Sequence, residues 1–287
     1  MSVGAQTFEV TRVDVVRRFE SWLAFVDAAS SSPSSSSVAG KRPLVDVAGK
    51  SRDDDANFHG TSTWEEAVEL ARDTTISPVG IAAGGAGCSF GLALDTSYGA
   101  SGDEVDVGRY LSGDPDNMIA YHLEPVPRRG RIVTLQVDVG TQWDVPCAEI
   151  RNHGAAAFGL ADMLRARAVG LDVYATARVV PRSSPGHHSW QMIVKVQSSE
   201  APFDASRIEF AMTHPAMLRR LGFSLAELEM DHIRDLFRFR AGMGYGVPQP
   251  RRLPDADVYL PRQERLAAHG GAKGWIESQL QRLGATA

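Results

Sequence analysis

The chain has 287 residues, of which 43% are hydrophobic and 23% are charged, and its formal net charge is −5. These proportions are typical of a globular protein with one large or two modest domains, and they exclude a wholly disordered chain or a generally basic nucleic-acid binder. No apolar run reaches the roughly 18–20 residues of a membrane-spanning helix. Met1–Val10 lacks a basic stretch followed by an apolar core, so we expect no membrane association and a cytoplasmic protein.

The first part of the chain has the patterns of two helices separated by loops. Apolar residues at three- and four-residue spacing predict an amphipathic helix over Val13–Ala29, and the serine-rich stretch 30–40 predicts a solvated loop. Pro43–Val47 predicts a short strand. Thr63 and Glu66 have the spacing of a capping box and predict the start of the second helix.

The glycine-rich segment Pro78–Leu94 predicts one or two buried strands. Within it, Gly87-Cys88-Ser89-Phe90-Gly91 matches the G-x-S-x-G pattern of a nucleophile elbow. That motif needs a helix after it, whereas Thr96–Gly102 reads as a turn. The segment therefore favours small residues in a strand over a hydrolase site, and we predict no catalytic residue.

The densest polar segment is Gly102–Met118. The surrounding pattern predicts a strand over Glu104–Tyr110, a tight turn around Gly113–Pro115 and another strand over Met118–Leu123. Carboxylate oxygens are the ligands that Mg²⁺ and Ca²⁺ prefer, so a divalent cation is the one cofactor that the segment suggests. The candidate ligands are Glu104, Asp106, Asp114 and Asp116. The spacing is not that of an EF-hand. The alternative is turn chemistry, in which Asp106 or Arg109 pairs within the segment.

The clearest organisation begins at Arg131 and has a β-α-β-β-α order. The expected elements are a strand over Arg131–Val139, a helix over Glu149–Ala168, a hairpin of Leu171–Val180 and Trp190–Gln197, and a helix capped by Asp204 or Ser206. The fold class is therefore predicted as α/β. We divide the chain into an N-terminal α/β region, 1–125, and a β-α-β-β-α domain, 126–287, with one continuous domain as the alternative.

Two architectures fit this order, a ferredoxin-like α+β sheet and a degenerate von Willebrand A-like domain whose third strand is an antiparallel edge. A further strand over Asp257–Leu260 and a helix over Lys273–Leu283 favour the second. A metal site of that fold would need Asp-x-Ser-x-Ser after the first strand. The sequence has Asp138-Val139-Gly140-Thr141-Gln142, which keeps only the aspartate, so we expect that metal site to be lost.

The remaining candidate functional residues are arginines and histidines. Arg219 and Arg220, together with Arg109, are the predicted contacts to nucleic acid or another anion, and a solvated helix face is the alternative. His188 is expected at an exposed hairpin tip. His153 and His214 are expected to be hydrogen-bonded polar residues without a catalytic role.

Several segments, in this order, resemble an uncharacterised protein family of bacterial phages, prophages and mobile elements. The segments are Ser21-Trp22, Trp64-Glu65-Glu66-Ala67, Glu104–Leu111, Gly154-Ala155-Ala156 and His214–Phe223. The chain departs from that family's pattern at four positions: it has Asp114 and Asp116 in place of glutamates, Asn117 in place of a cysteine and His153 in place of an arginine.

The resemblance implies a phage or mobile-element context and brings no catalytic residue. We therefore expect a non-enzymatic accessory or binding protein with a protein or nucleic-acid partner, in the host cytoplasm or in a virion. The alternatives are a virion structural or assembly protein, in which the chain forms an oligomer, and a metal-dependent enzyme acting on nucleic acid or phosphate esters.

Overall fold

The structure is a computed structural model that describes residues 13–31, 58–73, 91–126, 132–142, 144–167, 169–182, 188–239, 245–262 and 266–284. Most of the serine-rich stretch, the strand predicted over Pro43–Val47 and the first four residues of the G-x-S-x-G match lie outside the described residues. Within the described ranges, no helix combines the length and apolarity that crossing a bilayer requires.

The elements alternate between strands and helices along most of the chain. The strands are β1 (Val13–Phe19), β2 (Gly91–Gly99), β3 (Glu104–Val105), β4 (Met118–Val126), β5 (Ile132–Asp138), β6 (Gly170–Val180), β7 (His188–Gln197), β8 (Val247–Pro248) and β9 (Val258–Leu260). The α-helices are α1 (Trp22–Ser30), α2 (Trp64–Arg72), α3 (Val107–Leu111), α4 (Cys147–Ala166), α5 (Ala205–Thr213), α6 (Phe223–Glu227), α7 (Asp231–Phe237) and α8 (Gly271–Arg282). A π-helical segment (Met217–Gly222) leads into α6, and a 3-10 turn (Leu266–His269) precedes α8.

Six of the described strands form the main sheet, in the order β1-β7-β6-β5-β9 with β8 paired to β6. β5 is parallel to its neighbours β6 and β9, and β7 is antiparallel to β6. The predicted α/β class and the β-α-β-β-α order of β5, α4, β6, β7 and α5 are confirmed. β5 and β6 are direct neighbours, which departs from the split β-α-β arrangement of the ferredoxin-like alternative.

The prediction that β7 lies at the edge of the sheet is wrong, because β1 pairs with it in parallel from Val13–His188 to Phe19–Val194. The same pairing contradicts the single helix predicted over Val13–Ala29. The chain instead forms β1 and then α1, whose N-cap Ser21 accepts a hydrogen bond from the backbone N–H of Ala24 at 3.2 Å. His188 is buried and not exposed, and its Nδ1 accepts the N–H of Val13 at 3.1 Å.

Apart from α3, the described α-helices share one hydrophobic core with the main sheet. The Trp22 indole N–H donates to the carbonyl of Ala71 at 2.7 Å, which connects α1 to α2, and the Ser224 hydroxyl donates to Ala29 at 2.7 Å, which connects α6 to α1. Residues 13–31 and 58–73 therefore belong to the same core as the second half of the chain. The division near residue 125 stays a prediction.

The N-caps predicted from the sequence are found at the starts of α2 and α5. Thr63 accepts the N–H of Glu66 at 3.1 Å, as the capping box predicts, and the Glu66 carboxylate accepts the N–H of Ser62 at 2.7 Å. Asp204 caps α5 by accepting the N–H of Arg207 at 2.9 Å.

A close backbone approach fixes α4 against α5. A Cβ atom on Gly154 would lie 2.0 Å from the carbonyl oxygen of Met212, a distance that no side chain can occupy. Glycine is therefore required there for the two helices to pack at this separation. The contact places the residues beside it, His153 on α4 and His214 after α5, toward the same region.

A second, three-stranded antiparallel sheet has the order β2-β4-β3, and we call it, with α3, the small sheet unit (residues 91–126). Gly99 lies opposite Met118, and Glu104 lies opposite Ile119. The strand predicted over Met118–Leu123 is confirmed as part of β4. The strand predicted over Glu104–Tyr110 is wrong beyond Val105, because Asp106 caps the short helix α3 over Val107–Leu111. From residue 97 to residue 121, no side chain is buried.

Candidate functional site

A crevice opens where the carboxyl ends of β5 and β9 lie side by side. Val137 of β5 pairs with Leu260 of β9, so Asp138 comes directly after one paired residue and Arg262 comes two residues after the other. From β5 the chain passes through α4 to β6, which lies on one side of β5 in the sheet, and β9 lies on the other side of β5. The strand order therefore changes direction at β5. Open α/β sheets bind ligands at the carboxyl ends of parallel strands where the strand order changes direction.

The crevice is narrow, with a cavity volume of about 10 Å³, and it combines apolar walls with a few polar groups. Its polar lining residues are Asp138, Thr141, His153, His214 and Arg262, and we call it the switch-point crevice. Its position follows from the topology, because β5 and β9 supply Asp138 and Arg262, and α4 and the end of α5 supply the two histidines.

Asp138 is almost fully buried, at 3% exposure, and its Oδ1 accepts the N–H of Gly140 at 2.8 Å. A Cβ atom on Gly140 would lie 2.9 Å from that same oxygen, so the turn after β5 needs glycine. Burial raises the pKa of Asp138 to about 7, while the hydrogen bond from Gly140 and the charge of Arg262 act in the opposite direction. The carboxyl group therefore changes charge near neutral pH.

Both crevice histidines are neutral at pH 7. Burial lowers the pKa of His153 to about 4, and the nearby charge of Arg262 acts in the same direction. Burial likewise lowers the pKa of His214 to about 4, with Arg151 acting in the same direction and Glu66 against it. His214 stacks on Phe210 with ring centroids 5.0 Å apart, and its Nδ1 accepts the N–H of Ala216 at 3.2 Å. The acceptor role of Nδ1 leaves the ring proton on Nε2.

Three buried polar atoms around Asp138 have no hydrogen-bond partner in the described part of the chain: Nε2 of His153, the hydroxyl of Tyr259 and Nη2 of Arg262. Burial lowers the pKa of Arg262, as does Arg219, while Glu149 and Asp138 oppose this. Burial also raises the pKa of Tyr259, with a further contribution from Asp138. Arg262 therefore offers a charged donor and Tyr259 a neutral one. Buried polar groups are nearly always paired, so these three atoms call for an acceptor at this place.

The predicted cation ligands of the small sheet unit do not form a common site. Glu104 accepts the hydroxyl of Tyr121 at 2.8 Å, and Asp106 caps α3 by accepting the N–H of Arg109 at 3.1 Å. Asp114 accepts the N–H of Asp116 at 3.0 Å. Within the described ranges, no group of three or more histidine, cysteine, aspartate or glutamate side chains has an arrangement that could hold a metal ion.

Arg109 is engaged inside the unit. Its guanidinium lies 3.8 Å from the ring centroid of Tyr98, within 3.4 Å of the Asp114 carboxylate and 3.3 Å from the carbonyl of Asp116. This is the internal pairing that the turn-chemistry alternative described.

The exposed surface predicted for Arg219 and Arg220 is contradicted, since each side chain is only 2% exposed. The π-helical segment turns both inward. Arg219 donates to the carbonyls of Phe58 at 2.7 Å and Val145 at 2.6 Å and lies over the Phe58 ring, and Arg220 donates to the carbonyl of Thr61 at 3.0 Å. Both arginines bind backbone oxygens of neighbouring loops, which explains their burial.

Of the crevice residues, sequence reasoning noted Asp138, His153 and His214 without joining them, and it missed Arg262. The available signal was topological, because Asp138 lies near the end of the strand predicted over Arg131–Val139 and Arg262 follows the strand predicted over Asp257–Leu260.

Fold and crevice together define an α/β protein with a narrow, partly polar crevice at the switch point of a mainly parallel sheet. A family model described as "Domain of unknown function (DUF7192)" matches residues 7–287, and the chain belongs to this family. No curated protein and no solved structure matches the chain.

Proposed function

We propose that the protein is a binding protein that holds a small anionic ligand, carrying a carboxylate or a phosphate, in the switch-point crevice. The observation that carries this proposal is the buried Nη2 of Arg262, which has no partner in the described part of the chain and lines the same crevice as His153. A guanidinium N–H that has left water without a partner is unfavourable, and an anionic oxygen supplies the strongest acceptor for it.

The remaining groups fit the same ligand class. Nε2 of His153 is a further buried polar atom of the crevice lining, while Asp138 accepts a ligand hydroxyl when ionised and donates when protonated. Ile150, Met212 and Met217 supply apolar walls beside these groups. The site therefore offers buried polar contacts to a single small anionic group.

The accessory or binding role in a phage or mobile element, the virion alternative and the cellular location stay predictions. The metal-dependent enzyme required the four carboxylates to converge, and their separate local hydrogen bonds give it no support. A binding role needs only the crevice.

Titration calorimetry with inorganic phosphate and, separately, with acetate tests the proposal and distinguishes the two sources of anionic oxygen. Arg262→Gln is expected to lower the affinity for the anion by about tenfold or more, because a charge-assisted hydrogen bond is lost. Arg251→Gln removes an exposed arginine and is the matched control, with no expected change. Arg262→Lys keeps the charge and should retain part of the affinity. Equal affinity in Arg262→Gln and Arg251→Gln would overturn the proposal, as would binding of neither anion.

A further inference from the structure

The short helix α3 presents an apolar stripe to water. Val107, Tyr110 and Leu111 have helical i, i+3, i+4 spacing and are 64%, 63% and 79% exposed. We call these three residues the α3 stripe. Single exposed hydrophobic residues are ordinary, but a contiguous stripe of three on one helix face marks an interaction site.

Polar contacts from the opposite side of α3 hold the stripe in place. Arg109 reaches back to the ring of Tyr98 at 3.8 Å, and the N–H of Asp106 donates to the carbonyl of Asn117 at 2.8 Å. The Asn117 amide in turn donates to the carbonyl of Asp114 at 2.6 Å. The helix is therefore anchored without a hydrophobic core, and the apolar side chains are preorganised in the outward direction.

The surroundings of the stripe are acidic. Residues 97–121 contain five carboxylates and one arginine, a formal charge of −4, while the whole chain has −5. These carboxylates are Asp103, Glu104, Asp106, Asp114 and Asp116. Protein–protein interfaces usually have an apolar centre and a charged or polar rim. The charge of the rim determines the sign of the charge that a complementary partner carries.

We propose that the α3 stripe docks into an apolar groove of a partner protein whose rim carries lysine and arginine. Charge complementarity selects this occupant, since the phosphates of a nucleic acid and the same face of a second copy would both meet like charge. The surface is independent of the switch-point crevice, so either proposal can fail without the other.

Fluorescence anisotropy with a labelled helical peptide, leucine on one face and lysine on the other, tests the proposal on the full chain. The variant Val107→Ser/Tyr110→Ser/Leu111→Ser removes the stripe. Leu228→Ser/Met230→Ser is the matched control, because those two residues are 44% and 62% exposed elsewhere on the chain. The wild type and the control are expected to bind the peptide, and the stripe variant to bind about tenfold or more weakly. Binding should weaken with salt, and a peptide with glutamate in place of lysine should not bind.

Hydrogen exchange locates the contact, with expected protection of residues 103–121. Unchanged peptide affinity in the stripe variant, or protection elsewhere only, would overturn the proposal. Two further outcomes would also overturn it: a wild-type dimer by light scattering that the stripe variant loses would assign the face to a second copy, and tighter binding of an RNA or DNA oligonucleotide than of the lysine peptide would assign it to nucleic acid.

Discussion

In the main sheet, ionisable side chains are buried where β5 and β9 end, whereas in the small sheet unit every charged side chain between residues 97 and 121 is at least partly exposed. Asp138 and His153 lie under apolar walls, so their protonation responds strongly to the fold. The small sheet unit instead places hydrophobic residues in water and holds them with surface hydrogen bonds. The first region is the one that we propose holds a small ligand, and the second is the one that we propose binds another protein.

The largest expected effect tests the packing that builds the crevice. Gly154→Ala forces a Cβ against the carbonyl of Met212, so we expect a loss of about 3 kcal/mol or more in the free energy of unfolding. Gly159→Ala in the same helix is the control, because its Cβ meets only the flexible end of Ile276 at 3.0 Å. Urea unfolding measures both. Equal stability of the two variants would mean that α4 and α5 can separate freely.

Asp138→Asn is expected to stabilise the protein at about pH 8 by about 2–4 kcal/mol, because the wild type then keeps a buried carboxylate ionised. The pKa of Asp138 is raised from 3.8 to about 7 in the folded state. Its favourable contribution is therefore complete below about pH 4 and is lost as the pH rises through 7. The advantage of the variant should shrink as the pH falls, as followed by urea unfolding across pH. Exposed Asp255→Asn is the control, and a pH-independent difference for Asp138→Asn would contradict the raised pKa.

The crevice histidines make the free energy of unfolding depend on pH in the opposite sense to Asp138. The folded-state pKa of His153 is about 4, below the ordinary 6.5, so its contribution to stability is present above about pH 6.5 and is lost as the pH falls toward 4. His153→Gln should reduce the acid-induced loss of stability by about 2–3 kcal/mol relative to wild type. His232→Gln, on the exposed face of α7, is the control in thermal unfolding between those pH values. If the stability of wild type and of His153→Gln depended on pH in the same way, the lowered pKa of His153 would be contradicted.

The smallest expected effect belongs to the small sheet unit. Arg109→Ala removes the contacts to Tyr98 and Asp114, which are partly exposed and screened by water, so the global free energy of unfolding should change by less than about 1 kcal/mol. Amide hydrogen exchange in α3 should nevertheless become faster, since these contacts anchor the helix. Arg72→Ala, which removes the exposed pair with Asp27, is the control and should leave α3 exchange unchanged. A global destabilisation by Arg109→Ala would show that the two regions are coupled.

Elements defined by local patterns were predictable. The β5-α4-β6-β7-α5 order and the caps at Thr63 and Asp204 were predictable because alternation, helical periodicity and capping spacing act over a few residues. β1 was not, since its strand state depends on pairing with β7, far along the chain. The helical periodicity of 13–29 was genuine only from Trp22 onward.

The candidate site was harder to predict because burial decides it. Arg219 and Arg220 were read as surface charge, although the apolar neighbours Met217, Leu218 and Leu221 were a signal for an inward-facing segment. Asp138 was compared with a metal motif and set aside. Its significance depends on Arg262, which is 124 residues later in the chain and comes close only through the pairing of β5 with β9.

The pairing of β1 with β7 imposes an order on biosynthesis. Val13 and its partner His188 are separated by 175 residues, so β1 leaves the ribosome roughly 10–35 s before β7 at ordinary rates of translation. During that interval the backbone donors and acceptors of Val13–Phe19 lack the strand with which they pair in the folded protein. β1 can therefore join the main sheet only after β7 has emerged, and the sheet is complete only after β9, which follows β7 in the chain.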